Sequence, residues 1–242
     1  LSAGFEADFR SWRQSLKADA VHAFFQEVLP SFAALGELKI SESLQDLYQV
    51  QKPQVHISSK GSLLEIQFDF QNIDQEEIDR AMKALVEKQD YYISSSNQVY
   101  YFDDQTKRIR QDLEELGIEN LQDGAFRARK SLAYTLSHLF KDQDQISFTE
   151  EFRNLAHDLT HPEDFPMKEL NIQAELRDYQ KKGIQWLQML HHYGFGGILA
   201  DDMGLGKTLQ TIAFLSSQVQ ADTSVLILAP SGLIYNWADE FQ

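Results

Sequence analysis

Two architectures follow one another in the chain. Residues 1–165 predict an α+β domain of helices with two β-hairpins, and residues 166–242 predict the start of an α/β domain in which a glycine-rich loop joins a strand to a helix. Three observations lead there. Segments of strict apolar–polar alternation lie among helical patterns in the first part. A proline-bounded acidic stretch from Pro162 to Pro166 reads as a linker. Beyond it, the unbroken apolar run Val225-Leu226-Ile227-Leu228-Ala229 suits a parallel strand covered on both faces.

Composition narrows the class. A chain of 242 residues, 43% hydrophobic and 12% aromatic, can bury one large core or two ordinary ones. No apolar run approaches the ~20 residues that span a bilayer, and Leu1-Ser2-Ala3-Gly4 lacks the basic-then-apolar layout of a secretory signal. Leu1 in place of a methionine reads as an excised piece. Without cysteine there is no disulfide framework, thiolate zinc site or cysteine nucleophile, which suits a reducing, cytoplasmic setting. No membrane partner is expected, and the piece is expected to be a monomer. The net charge of −15 opposes general affinity for nucleic acid. Most of that charge lies early: 17 Lys+Arg against 29 Asp+Glu through Pro166 leave −12, and 5 against 8 thereafter leave −3.

Taken in order, residues 5 to 35 carry Phe5, Phe9, Trp12, Leu16, Val21, Phe24, Phe25 and Leu29 at helical spacing until Pro30, which predicts one or two amphipathic helices with a core-facing stripe. Val55 to Ile57 and Leu63 to Phe70, joined through a turn at Ser59-Lys60-Gly61-Ser62, predict a hairpin with Leu64, Ile66, Phe68 and Phe70 on one face. Asp74 is the expected N-cap of a helix bearing Ile78, Met82, Leu85 and Val86, with Glu77 as its capping-box partner. A second hairpin joins Tyr91-Tyr92-Ile93 to Val99-Tyr100-Tyr101-Phe102. Helices are expected over 103–116, 124–140 and 148–159. Arg127-Ala128-Arg129-Lys130 then lies on a solvated helix face. His157-Asp158-Leu159-Thr160-His161 approaches the zinc-protease spacing. Aspartate is short for the base, however, the helix ends at Pro162, and no third ligand follows, so zinc is not expected.

In the second part, a helix opens at Leu176-Arg177-Asp178-Tyr179-Gln180 with an apolar face through Tyr179, Ile184, Trp186, Leu187 and Leu190, and Gly194 is placed to cap it. Gly196 to Ala200 predicts a short buried strand, and a helix from 207 to 218 follows with Leu209, Ile212, Ala213 and Leu215. Between them lies Asp201-Asp202-Met203-Gly204-Leu205-Gly206-Lys207-Thr208. Gly204 and Gly206 can take left-handed conformations that turn backbone N–H groups onto an anion. Lys207 would set a positive charge on the β- and γ-phosphates, and the Thr208 hydroxyl would ligate Mg²⁺. The general pattern places glycine where this chain has Asp201.

Three blocks resemble the SNF2 family of ATPases within helicase superfamily 2. They are Leu176 to Gln180 with Gly183 and Trp186-Leu187, then Ile198 to Thr208, then Leu228-Ala229-Pro230-Ser231 with Asn236-Trp237 and Glu240-Phe241. In that family aspartate is usual at the position of Asp201 and glutamate at that of Asp202. Residues 1–165 are generally similar to the accessory segment that precedes the motor in some bacterial members. The resemblance implies a RecA-like first lobe that uses ATP and Mg²⁺. By the same resemblance, Gln180 would read adenine and Arg177 would lie near the nucleotide. Asp202, Met203, Gly204, Leu205, Gly206, Lys207 and Thr208 would hold the phosphates, Lys207 and Thr208 being catalytic and Thr208 meeting Mg²⁺ through the nucleotide. Ser231, Asn236 and Trp237 would lie near a DNA strand. The implied whole protein is a DNA-dependent ATPase that translocates on double-stranded DNA and remodels protein–DNA complexes, a DNA-bound assembly such as a polymerase being a candidate partner. The family's Mg²⁺-holding acidic pair and second-lobe arginines are expected past Gln242, so this stretch should bind ATP weakly at best and not turn it over. Two alternatives stand beside this: another P-loop NTPase or kinase, and a non-enzymatic interaction or autoinhibitory module.

Overall fold

The computed structural model describes residues 6–8, 11–13, 18–70, 73–96, 98–219 and 224–241. Backbone contacts divide the chain into two units, one of residues 1–130 and 142–149, the other of 131–141 and 150–242. The fold is mixed α/β.

The first unit begins with β1 (Glu6–Asp8) and β2 (Ser11–Arg13), paired antiparallel. Next come α1 (Ala18–Ala23), a π-helical turn over Phe24–Val28, and α2 (Leu29–Ala33). The helix expected from residue 5 is thus corrected at its start, where Trp12 lies in a strand; Phe5, Phe9 and Leu16 fall outside the described residues. A hairpin closes its backbone hydrogen bonds locally, a property that apolar spacing does not report. Pro30 does not interrupt either: it sits in the first turn of α2, where its missing N–H leaves no helical bond unmade.

After α3 (Glu42–Gln45) and β3 (Tyr48–Gln51), the predicted hairpin forms as β4 (Gln54–Lys60) and β5 (Leu63–Asp69) around Gly61 at φ 57°. Leu64, Ile66, Phe68 and Phe70 are all buried, as their alternation requires. α4 (Gln75–Val86) is capped as expected, the Glu77 amide donating to Asp74 Oδ1 at 3.0 Å. The reciprocal half of the capping box is not made. Glu77 Oε1 instead accepts from the Ser95 amide at 2.7 Å, tying the helix to the second hairpin, β6 (Tyr91–Ile93) and β7 (Val99–Phe102). Val86 is 40% exposed and stands outside the stripe assigned to it. α5 (Asp104–Glu115) follows, and its N-cap Asp103 accepts from the Thr106 amide at 2.9 Å.

The helix expected over 124–140 is corrected in its first half. β8 (Leu121–Gln122) turns through Asp123 and Gly124 into β9 (Ala125–Arg129), and only then does α6 (Ala133–Leu139) form. Phe126 lies opposite Ile66, and its ring packs 5.8 Å from that of Phe68. An aromatic pair of this kind contributes about 1 kcal/mol beyond area burial. Arg127 is therefore on a strand, where it pairs with Glu65 rather than lying on a solvated helix face. Phe148, expected to start the third helix, instead ends β10 (Ile146–Phe148), which runs parallel to β4, and α7 spans Glu150–Thr160. The finished sheets run β10-β4-β5-β9-β8 and β3-β7-β6, and Phe70 and Phe102 bring aromatic rings of the two together at 6.2 Å.

In the second unit α6 packs on α7, followed by a 3₁₀ turn at Pro162–Asp164, α8 (Asp178–His192), α9 (Lys207–Ser216) and α10 (Ile234–Glu240). The two ring nitrogens of His157 face carboxylates, Asp158 at 3.3 Å and Asp164 at 3.5 Å. The proline-bounded stretch is anchored, since Phe165 is buried with Met189 and Leu190 of α8. Gln185 holds it further by donating to the carbonyls of Glu163 and Phe165 at 2.9 and 2.5 Å.

Candidate nucleotide-binding site

The site rests on α8 and α9. Gln180, Ile184 and Gln188 form an i, i+4, i+8 stripe on α8 that is buried throughout. Two buried amides in such a stripe need partners, and both have them. Gln188 accepts from the Lys168 amide and donates to Ser217 Oγ, each at 2.9 Å. Gln180 Oε1 accepts from the Arg177 amide at 2.9 Å at the helix start, and its Nε2 donates to the carbonyl of Leu205 at 3.2 Å. The guanidinium of Arg177 has no acceptor with which to complete a capping box. At the other end, Gly194 at φ 75° closes α8: its amide donates to His191 and that of Phe195 to Leu190, a Schellman pair at 3.1 and 2.8 Å.

The loop bends back over this helix. Gly204 and Gly206 take φ 85° and 73°, the left-handed values anticipated for them. Gly206 is also the N-cap of α9, and a Cβ there would lie 2.6 Å from Gln180 Nε2, so glycine is needed for both conformation and space. Lys207 Nζ donates to the carbonyls of Asp201 and Asp202 at 2.7 and 2.9 Å. The first-turn amides of α9 have no intrahelical partner, and its first turn contains no acidic side chain, a combination that favours an anion. Thr208 is half-buried beside them, and Met203 is 97% exposed. These groups fit a nucleoside triphosphate with its Mg²⁺ in the donors they offer.

Tyr179 was expected on the apolar face. It is instead 37% exposed and donates its hydroxyl to the same Leu205 carbonyl at 3.2 Å. Sequence reasoning also passed over Gln210, which is fully buried and donates to Asp201 Oδ2 at 2.9 Å. Its signal was a polar side chain three residues before Ala213 on the buried stripe of α9.

Two predicted strands do not form. Residues 196–200 and 224–230 are without strand pairing, with Ile198 86% exposed, Leu226 84% and Leu228 87%. An apolar run becomes a strand only where neighbours take up its N–H and C=O groups, and no described segment does so here. Gly197 nevertheless lies tightly against Trp186 and Leu190, where a Cβ would fall 2.9 and 2.5 Å from their side chains. Ser231 opens a 3₁₀ turn and Asn236 and Trp237 belong to α10, with Trp237 stacked on Phe241 at 6.2 Å. Among the described residues no hydrogen bond joins these three to the loop.

Fold and site define a mixed α/β chain with a glycine-turned loop at the head of a helix. Residues 2–169 match the family described as bacterial SNF2 helicase associated, and residues 179–242 match the SNF2-related domain. The chain belongs to the SNF2 helicase family, as the three sequence blocks indicated. It is 37% identical over 134 residues to the uncharacterized ATP-dependent helicase MG018 of Mycoplasma genitalium, covering 51% of this chain and 13% of that protein. A human SWI/SNF-related regulator of chromatin containing DEAD/H box 1 is 48% identical over 73 residues, 29% of this chain and 7% of the relative. The chromatin-remodeling ATPase INO80 of Arabidopsis thaliana is 44% identical over 72 residues, 28% of this chain and 5% of the relative. The chain thus spans a small fraction of the length of these relatives.

Proposed function

We propose that the chain is the accessory domain (residues 1–165) and the beginning of the RecA-like first lobe (166–242) of an ATP-dependent, double-stranded DNA translocase that remodels protein–DNA complexes. The observation that carries this is the loop. Two left-handed glycines bring Lys207 and the amides of α9 to one place, and Gln180 reaches that place from α8. ATP with Mg²⁺ supplies the phosphoanhydride whose cleavage would drive movement. Lys207 would exchange the loop carbonyls for phosphate oxygens and stabilise their charge, and Thr208 would offer its hydroxyl to the metal. Gly204 and Gly206 keep side chains out of the phosphate path, with Asp202, Met203 and Leu205 supplying the rest of the backbone turn. Gln180 would read adenine and Arg177 would lie near the nucleotide. Ser231, Asn236 and Trp237 serve a DNA strand by hydroxyl, amide and ring. Ile198, Leu226 and Leu228 are covered by the sheet of the complete lobe. The acidic front domain, at −12 through Pro166, suits an interaction or autoinhibitory role more than direct DNA binding.

Measurement of nucleotide binding and turnover tests this. Purified chain should bind a fluorescent ATP analogue weakly without hydrolysing it, and Lys207→Ala should lower affinity at least about tenfold. In the full-length protein, double-stranded DNA should stimulate ATPase activity. Unstimulated activity, or binding indifferent to Lys207→Ala, would sink the proposal.

A further inference from the structure

The side chain of Gln210 is completely buried, yet only one end of its amide is partnered. Nε2 donates to Asp201 Oδ2 at 2.9 Å, and Oε1 has no hydrogen-bond partner. That oxygen points at Gly183 on α8, where a Cβ would lie 2.1 Å from it. Rotating the amide by half a turn would set its oxygen against the Asp201 carboxylate, two acceptors face to face, so the orientation is dictated by Asp201. A buried amide oxygen left without a donor is unfavourable. What the arrangement secures in return is the first residue of the loop, the position where the general phosphate-loop pattern has glycine and no side chain to hold. The carbonyl of the same Asp201 accepts from Lys207 Nζ at 2.7 Å. Residues 201, 207 and 210 therefore close a ring, running from the Gln210 amide to the Asp201 carboxylate, through the Asp201 backbone to the Lys207 ammonium, and along α9 back to Gln210.

We propose that Gln210 is a positioning residue for the loop lysine, acting through Asp201, and that Gly183 is glycine so that the Gln210 amide can take this orientation. Its importance for catalysis rests on the nucleotide reading above; its effect on the loop does not. The aspartate at the loop's first position thereby becomes a handle, gripped from inside the helix that the loop precedes.

The test is a double-mutant cycle on the purified chain with two readouts. One is hydrogen–deuterium exchange over residues 199–208 without nucleotide, and the other is titration with a fluorescent ATP analogue and Mg²⁺. Gln210→Ala and Gly183→Ala should each speed exchange across the loop and weaken the analogue about tenfold, the consequence of one lost charge-assisted hydrogen bond. The double variant should be no worse than either single, because Gly183→Ala acts only by displacing Gln210. Parent-like loop exchange in Gln210→Ala, or effects that multiply in the double variant, would overturn the proposal. Should Gly183→Ala fail to fold, Asp201→Ala takes its place and must also be non-additive with Gln210→Ala. If the parent chain itself does not bind the analogue but the exchange results hold, the lock stands and the nucleotide reading fails.

Discussion

Hydrophobic runs meet opposite fates in the two units. Val55, Ile57, Leu64 and Ile66 of the front sheet are 0% exposed, whereas Ile198, Leu226 and Leu228 in the loop-bearing unit are 84% exposed or more. Apolar content does not explain the difference, since Val225 to Ala229 is more uniformly apolar than β4. Partners do. β4 is paired along its length with β5 on one side and over Val55 to Ile57 with β10 on the other, so its buried residues Val55 and Ile57 have strand neighbours on both sides. The loop-bearing unit holds its helices differently, with the buried amides of Gln180 and Gln188 and the half-buried amide of Gln185 reaching across to backbone and hydroxyl groups. One unit is a packed sheet core. The other is stitched by glutamines around a loop.

The largest expected effect breaks this contrast at its apolar end. Phe102→Ala, at a ring 2% exposed between the two front sheets, should cost about 3–5 kcal/mol in denaturant unfolding, while Leu228→Ala should stay within about 0.5 kcal/mol. Comparable losses at both would mean that Leu228 is covered. Next comes Gln188→Ala, which strands the Lys168 amide and removes one of the two donors to the Ser217 hydroxyl, and should remove about 1–3 kcal/mol. If Gln188→Leu restores parental stability, the amide stitch is not what holds α8.

The smallest effect depends on pH. Burial, then the hydrogen bond to Asp158 at 2.6 Å, pushes the Tyr193 hydroxyl above the usual tyrosine range, so the folded chain keeps a proton that the unfolded chain releases near pH 10. The stability this contributes is complete below about pH 10 and is lost as pH rises towards the folded value. Thermal melting between about pH 9 and 11.5 should fall more steeply for the parent than for Tyr193→Phe. Burial raises Tyr92 in the front unit with the same sign, so Tyr92→Phe should flatten the slope further. Identical alkaline slopes in all three proteins would contradict the assignment.

Much of this was legible where the cause is local. Alternation placed β5, Asp74 announced the cap of α4, Gly194 the end of α8, and the paired glycines the loop. What escaped depends on distant segments. β9 read as helix because Phe126 and Leu132 onward also fit a helical spacing, and only pairing with β5 decides between them. The burial of Gln210 had a signal in its place on the α9 stripe, but its role was not legible, because that role needs Asp201 and Gly183 brought together in space. The unpaired runs at 196–200 and 224–230 show the converse limit, since hydrophobicity records a demand for cover but not who supplies it.

The path of the chain through β10 has a practical consequence. The backbone leaves the front unit after residue 130, contributes α6 to the loop-bearing unit, returns with residues 142–149 as an edge of the front sheet, and leaves again. A single protease nick at any of these crossings would leave either α6 or β10 lodged in the unit contributed by the other fragment. The cleaved protein should run as two bands under denaturing conditions and as one peak on a sizing column, woven together like a seam that survives one cut stitch.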